Sequence, residues 1–149
     1  MNQTPTLTAQ LVTDVRSLNE MQALLQESRL PYQDVRVEGN TMVAYYDNNQ
    51  LVACGGLEIY GNFALLRSVA VAESHRGQTL GQQVVDDLLN RARAKGLKAI
   101  YLLTETAHDF FLKKGFADID RYQVPTEVKS SSEFTSVCPV SAACMARAL

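Results

Sequence analysis

The residues best suited to chemistry sit close together in the turn His75, Arg76, Gly77, Gln78, Thr79, Leu80 and Gly81. Glycine lets backbone N–H groups converge there, and the amphipathic pattern beginning near Leu80 supplies a helix start, with unpaired donors and a partial positive charge. Such a turn suits an anion, phosphate above all. Thr79 and Gln82 also have the spacing of a capping box, in which the threonine hydroxyl would take a donor that phosphate needs. Glu73 stands beside His75 and is read as balancing its charge.

The other candidates are scattered. Glu58 closes an apolar run and could act as a general base, directly or through water, or stand as an exposed strand carboxylate. Arg67, with Ser68 beside it, and Arg121 offer the fork that clamps a carboxylate in two parallel hydrogen bonds; structural salt bridging is the alternative for each. His75 and His108 have no paired ligand spacing, so no metal is expected. Cys54, Cys138 and Cys144 are an odd number without metal-site spacing, which points to reduced thiols rather than a disulfide framework.

Several elements must position these groups. Thr6 to Val12 alternates as a strand, and Asp14 or Ser17 can cap a helix carrying Leu18, Met21, Leu24 and Leu25 inward until Pro31. Thr41 to Tyr46 and Leu51 to Tyr60 read as a hairpin, with Gly55 and Gly56 marking a bulge or a close backbone approach. Gly61 and Asn62 turn the chain into a further strand, Phe63 to Val71, which runs into the anion turn. The following helix shows Gly81, Val84, Val85, Leu88, Leu89 and Ala92 on one face. Leu97 to Thr104 is a nearly continuous apolar run, predicting a parallel strand buried on both faces. Thr104 or Thr106 then starts a helix that Gly115 stops, with Phe110 and Phe111 inward. A strand is expected from Phe116 to Val124, a short helix or loop from Glu127 to Phe134, and a last strand or tail from Cys144 to Leu149.

The chain has 149 residues, 46% of them hydrophobic, and a formal net charge of −2, which fits one domain and gives no electrostatic case for nucleic acid or an anionic membrane. The first residues lack a signal-peptide pattern and no apolar run is long enough to span a bilayer, so a soluble, cytoplasmic protein is expected. The element order predicts an α/β sandwich on a mixed, mostly antiparallel sheet.

The segment from Leu65 to Phe116 resembles the acetyl-CoA-binding core of the GNAT superfamily of N-acetyltransferases. That signature, Arg or Gln, two residues, Gly, one residue, Gly or Ala, falls on Arg76 to Gly81 with Thr79 in place of the first glycine. With LLRSVAV at Leu65 to Val71, YLLT at Tyr101 to Thr104, AHDFFLKKGF at Ala107 to Phe116 and CPVSAACM at Cys138 to Met145, the chain is similar to small acetyltransferases related to the acetyl-transfer domain of N-acetylglutamate synthase, including a branch encoded with arsenic-resistance operons.

The resemblance implies the GNAT fold, splayed at the cofactor strands, and a single acetyltransferase domain over residues 1–149. It implies that the pyrophosphate of acetyl-CoA lies on Arg76, Gly77, Gln78, Thr79, Leu80, Gly81 and Gln82, and its pantetheine beside Val69, Ala70 and Val71, with Thr106, Phe110 and Phe111 on the same surface. A backbone N–H at Val69 or Ala70 would stabilise the oxyanion formed on acetyl transfer. Phe111 stands where many members carry a proton-donating tyrosine, which leaves unassisted thiolate departure or another donor, Tyr101, Thr104 or His108. A small, carboxylate-bearing amine is the expected acceptor, with Arg67, Ser68 and Arg121 around it, and a homodimer is common among such proteins. The competing readings are an acetyl-CoA-binding module without turnover and a protein lysine or N-terminal acetyltransferase. Cys138 and Cys144 are read as inert buried thiols, with metalloid binding the alternative.

Overall fold

A computed structural model describes residues 7–137 and 139–149. The first strand, β1 (Thr8–Leu11), leads to helix α1 (Val15–Glu27). Asp14, rather than Ser17, is the cap, accepting from the Ser17 N–H at 2.7 Å. Helix α1 ends before Pro31. Arg29 takes a left-handed backbone with φ of 60°, and the Leu30 N–H reaches back to the Leu25 carbonyl at 2.9 Å, so a C-terminal turn does the stopping.

Strands β2 (Thr41–Asp47), β3 (Gln50–Tyr60) and β4 (Phe63–Val71) form the antiparallel meander. Helix α2 (Leu80–Ala94) crosses over to β5 (Ala99–Thr104), which runs parallel to β4. Helix α3 (His108–Lys113), the short edge strand β6 (Ala117–Asp118), a single helical turn α4 (Thr126–Lys129) and β7 (Ala143–Ala148) complete the order. The sheet runs β1-β2-β3-β4-β5-β7-β6, so the α/β expectation of a mixed, mostly antiparallel sheet holds.

Alternation divides the core between the two faces. Val43, Tyr45, Leu57 and Leu66 pack under Val84, Val85, Leu88 and Ala92 of α2 and Phe111 of α3, while Met42, Ala44, Cys54 and Ala70 pack under Met21, Leu24 and Leu25 of α1. Gly55 is a close approach: a Cβ there would lie 2.7 Å from Leu88 Cδ1 and 2.8 Å from Val84 Cγ1. Helix α2 therefore seats directly on β3.

Three local expectations are corrected. The strand expected from Phe116 to Val124 shrinks to two residues, because the Gln123 and Val124 N–H groups bond to Asp120 and Arg121 carbonyls and wind a 3-10 turn instead. Strand β5 is fully buried on one face only, at Ile100 and Leu102; Tyr101 and Leu103 are half-buried, since the other face meets little more than Val124, Val128 and Phe134. His75 pairs with Asp47, 2.9 Å from its Nε2, and not with Glu73. Cys54 and Cys144 are buried free thiols, whereas Cys138 lies outside the described residues.

Candidate functional site

The site begins where the sheet opens. Strands β4 and β5 pair only from Phe63 with Ala99 to Leu65 with Tyr101, and beyond that point β4 continues to Val71 and β5 to Thr104 without pairing. The gap is a cleft of two adjoining hollows. One, of about 460 Å³, is lined by Arg29, Arg67, Ser68, Leu102, Thr104 and Glu133, among others. The second, of about 630 Å³, holds Gly81, His108 and Phe110. Val69, Ala70, Val71, Arg76, Thr106 and Phe111 border both.

The register of β3 against β4 slips at this point. Cys54 faces Ala70 but Gly56 faces Arg67, so Ser68 and Val69 together oppose Gly55. That is a β-bulge with its extra residue on β4. Ser68 takes a left-handed φ of 62°, a conformation strained for any residue but glycine, and its carbonyl accepts from the buried Cys54 thiol at 3.2 Å. The slip re-aims the end of β4. The Ala72 N–H bonds to the Val52 carbonyl of β3 at 2.7 Å, and backbone groups alternate along an extended strand, so Val71 and Val69 turn theirs to the open side. Consistent with this, the Val71 carbonyl accepts from Arg76 Nε at 3.0 Å.

The anion turn lies at the cleft's far end. Gly77 has φ of 79° and open space where a Cβ would be, so its backbone is bare to an approaching group. The capping box expected from Thr79 and Gln82 does not form. Thr79 is itself left-handed, with φ of 62°, and its hydroxyl donates to the Gln78 carbonyl at 2.6 Å, so it takes none of the helix N–H donors. Leu80 is the exception in this row, since its side chain is fully buried and only its backbone faces the turn.

On the opposite side Arg67 is saturated. Its side chain is wholly buried and meets Asp34 at 2.6 and 2.8 Å, Glu58 at 3.0 Å and Glu133 at 3.3 Å, with Nε also donating to the Ser68 hydroxyl at 2.9 Å. Burial opposes its charge, but Asp34, Glu133 and Glu58 outweigh that and raise its pKa above the ordinary arginine value. Burial would likewise raise Asp34, yet hydrogen bonds from Arg67 and Ser132 leave its pKa lowered.

Comparison with known proteins matches residues 10–116 to the model of the Acetyltransferase (GNAT) family. The chain belongs to that family. It is 36% identical over 81 residues to an amino-acid acetyltransferase of Mycobacterium tuberculosis, a match covering 53% of this chain and 45% of that protein. The chain thus spans less than half the length of this curated relative. N-acetylglutamate synthase from Neisseria gonorrhoeae, solved with coenzyme A and N-acetyl-glutamate, superposes with a TM-score of 0.79 at 12% identity, over 97% of this chain and 35% of that one. Rv2747 from Mycobacterium tuberculosis, solved in complex with CoA and NLQ, gives 0.74 at 20% identity over 97% and 99%. These likenesses establish the fold.

GNAT enzymes draw their acetyl group from acetyl-CoA, and the cleft fits that donor. An open strand edge at Val69 and Val71 suits the amides of an extended pantetheine, and the bare turn at Gly77 suits charged oxygens. Thr106, Phe110 and Phe111 line the cleft, the two phenylalanines 5.1 Å apart edge to face. Gln82 follows on the first turn of α2.

Other site residues expected from the sequence stand elsewhere. Tyr101 packs its ring 6.0 Å from Phe63, among Leu65, Val124 and Cys144, and borders neither hollow. Arg121 lies in the 3-10 turn, where its Nη2 donates to the carbonyls of Pro139, Val140 and Ala142, and its guanidinium lies 5.8 Å from the centre of the Phe134 ring. Glu58 is 5% exposed; one carboxylate oxygen accepts from Tyr60 and the other from Arg67, and it borders neither hollow. Arg67 borders one of the two hollows but is already neutralised by Asp34, Glu58 and Glu133. His108 pairs with Asp118 at 2.8 Å, whose hydrogen bond raises its pKa. Sequence reasoning passed over Arg29, Asp34 and Glu133; the first two lie five residues apart after α1, Glu133 lies about a hundred residues later, and the three have no common motif. Among the described residues no group of three or more His, Cys, Asp or Glu is placed to hold a metal ion.

Proposed function

We propose that this chain is an acetyl-CoA-dependent N-acetyltransferase acting on the amine of a small amino acid or an amino-acid-like molecule. The observation carrying this reading is the open edge of β4, where the Ser68–Val69 bulge turns Val69 toward a cleft that ends at the Gly77 turn. When bound, acetyl-CoA supplies a thioester carbonyl that an amine can attack.

The chain's own residues then do three things. Gly77 and its neighbours anchor the charged end, and Val69 and Val71 hold the extended arm as an added strand would be held. In this reading the Val69 N–H, beside the bulge, donates to the oxygen on which negative charge develops, an arrangement worth roughly 3 kcal/mol of barrier in comparable sites. The walls formed by Leu102, Phe111 and Val69 confine the amine against the carbonyl. Arg29 borders the same hollow and makes no ion pair among the described residues, which suits it to the acceptor's carboxylate better than Arg67.

The likeness to the amino-acid acetyltransferase of Mycobacterium tuberculosis favours an amino acid. A protein amine is the second reading, favoured by the excess of carboxylates around Arg67 on the acceptor side. Release of free CoA from acetyl-CoA decides between them, measured with amino acids, carboxylate-bearing analogues, polyamines and lysine peptides. Turnover confined to amino acids or analogues is the expected result. Turnover on peptides alone selects the second reading, and binding without turnover across the panel contradicts both.

A further inference from the structure

The peptide unit joining Ser68 to Val69 carries the Ser68 carbonyl and the Val69 N–H. A trans peptide is planar and sets these two groups on opposite sides, so whatever fixes the carbonyl also fixes the direction of the N–H. In a regular strand the ladder does this, but the slip takes Ser68 and Val69 out of one-to-one register with β3. A side chain takes over. The Cys54 thiol, fully buried on β3, donates to the Ser68 carbonyl at 3.2 Å, and Arg67 Nε donates to the Ser68 hydroxyl at 2.9 Å. Ser68 is thus held at its carbonyl and at its side chain in a left-handed conformation that needs such support.

The next peptide points the other way. Ala70 is back in register opposite Cys54, and its N–H meets the Cys54 sulfur, so it faces β3 and leaves Val69 as the donor on the open side. We infer that Cys54 is a positioning residue for acetyl transfer, its thiol aiming the Val69 N–H into the cleft by holding the Ser68 carbonyl. This rests on the reading above of Val69 as the oxyanion donor. Cys54 borders neither hollow and acts only through that peptide. Burial pushes its pKa up to about 12, against the opposing effect of the Ala70 N–H, so the sulfur keeps its proton and stays a donor at neutral pH. A thiol is a weak donor, and what it contributes is direction: an oxyanion donor acts only when aimed at the atom where charge develops. Without the thiol the strain at Ser68 is relieved by turning the peptide, which takes the N–H off the thioester oxygen.

The test reads that oxygen directly. The infrared stretch of acetyl-CoA, isotope-labelled at the acetyl carbonyl and bound without acceptor, is measured for the wild type, Cys54→Ser, Cys54→Ala and Cys54→Val, with affinity measured by calorimetry. Serine keeps a donor; alanine and valine lack one and bracket the thiol in bulk, so either of them that folds serves. The wild type is expected to lower the stretch relative to free acetyl-CoA, Cys54→Ser to keep that lowering, and the donorless variants to lose most of it. Affinity is expected to stay within about twofold, because the Gly77 turn is untouched, while kcat with the best acceptor of the panel above falls by at least about tenfold in the donorless variants alone. A role in packing only predicts equal effects in serine and alanine. That result, or a wild-type lowering in Cys54→Ala or Cys54→Val, overturns the inference. A wild type that binds acetyl-CoA with no lowering overturns the assignment of Val69, and one that does not bind it overturns the acetyltransferase reading; either takes this inference with it.

Discussion

The Arg67 guanidinium meets the Asp34 carboxylate in two parallel hydrogen bonds, 2.6 Å from Nη1 and 2.8 Å from Nη2, between residues 33 apart in sequence. This pair fastens the segment after α1 to β4 beside the bulge. With Glu133 on the same guanidinium, Arg67 joins three separate stretches of chain beside the cleft. Arg67→Met leaves three carboxylates without their cation, and removing one partner of a buried pair costs about 3–5 kcal/mol. Urea denaturation should show a loss of that size; a loss under about 1 kcal/mol would show that solvent already carries those charges.

Asp34 gives the stability a pH dependence of known sign. Its folded pKa is lowered below the unfolded value of 3.8, so its stabilisation is complete above that value and is lost as pH falls through the folded pKa. The stability gap between wild type and Asp34→Asn should therefore be widest at neutral pH and narrow below about pH 4. Chemical denaturation at a series of pH values checks this, and a gap that widens on acidification would contradict it.

Much of the scaffold was legible in the sequence, for physical reasons that also explain the gaps. Turn residues at Asp47 to Gln50 and at Gly61 and Asn62 punctuate apolar runs, so the meander and its passage into α2 follow from local chemistry. Gly55 and Gly56 point to a bulge at the right place, but the extra residue belongs to β4, because Gly55 makes room for Leu88 while Ser68 absorbs the slip. Arg121 sits in a turn rather than a strand, and the carbonyls it serves lie 18 to 21 residues later. Arg67 looked like a substrate clamp because Asp34 and Glu133 come to it only through the tertiary fold. No periodicity encodes a contact of that kind.

Gly55→Ala places a methyl group against Leu88 and Val84 at contacts under 3.0 Å, between backbone-anchored neighbours in the core. Overpacking of this kind costs about 1–3 kcal/mol. Gly81→Ala is the control, since its Cβ would stand 3.6 Å from the Phe110 ring, an ordinary contact. Thermal denaturation should show a clear fall for the first and little change for the second. Equal melting temperatures would mean that α2 can lift off β3 at no cost.

Gly77→Val forces a branched side chain onto a backbone with φ of 79° and puts bulk where the proposed function seats the charged end of acetyl-CoA. Acetyl-CoA affinity should fall by at least about tenfold, equivalent to 1.4 kcal/mol. Calorimetric titration measures it. Unchanged affinity would remove the turn from the site.

Amide hydrogen exchange with and without acetyl-CoA, resolved by residue, most directly tests whether the open edge of β4 is the donor's seat. Binding should slow exchange at Val69, Val71 and residues 76–82, with no change in the hollow lined by Glu20, Glu27, Asn49 and Glu73, whose carboxylates would repel phosphate. Slowing at that acidic hollow, with Val69 and Val71 unaffected, would contradict the assignment of the cleft.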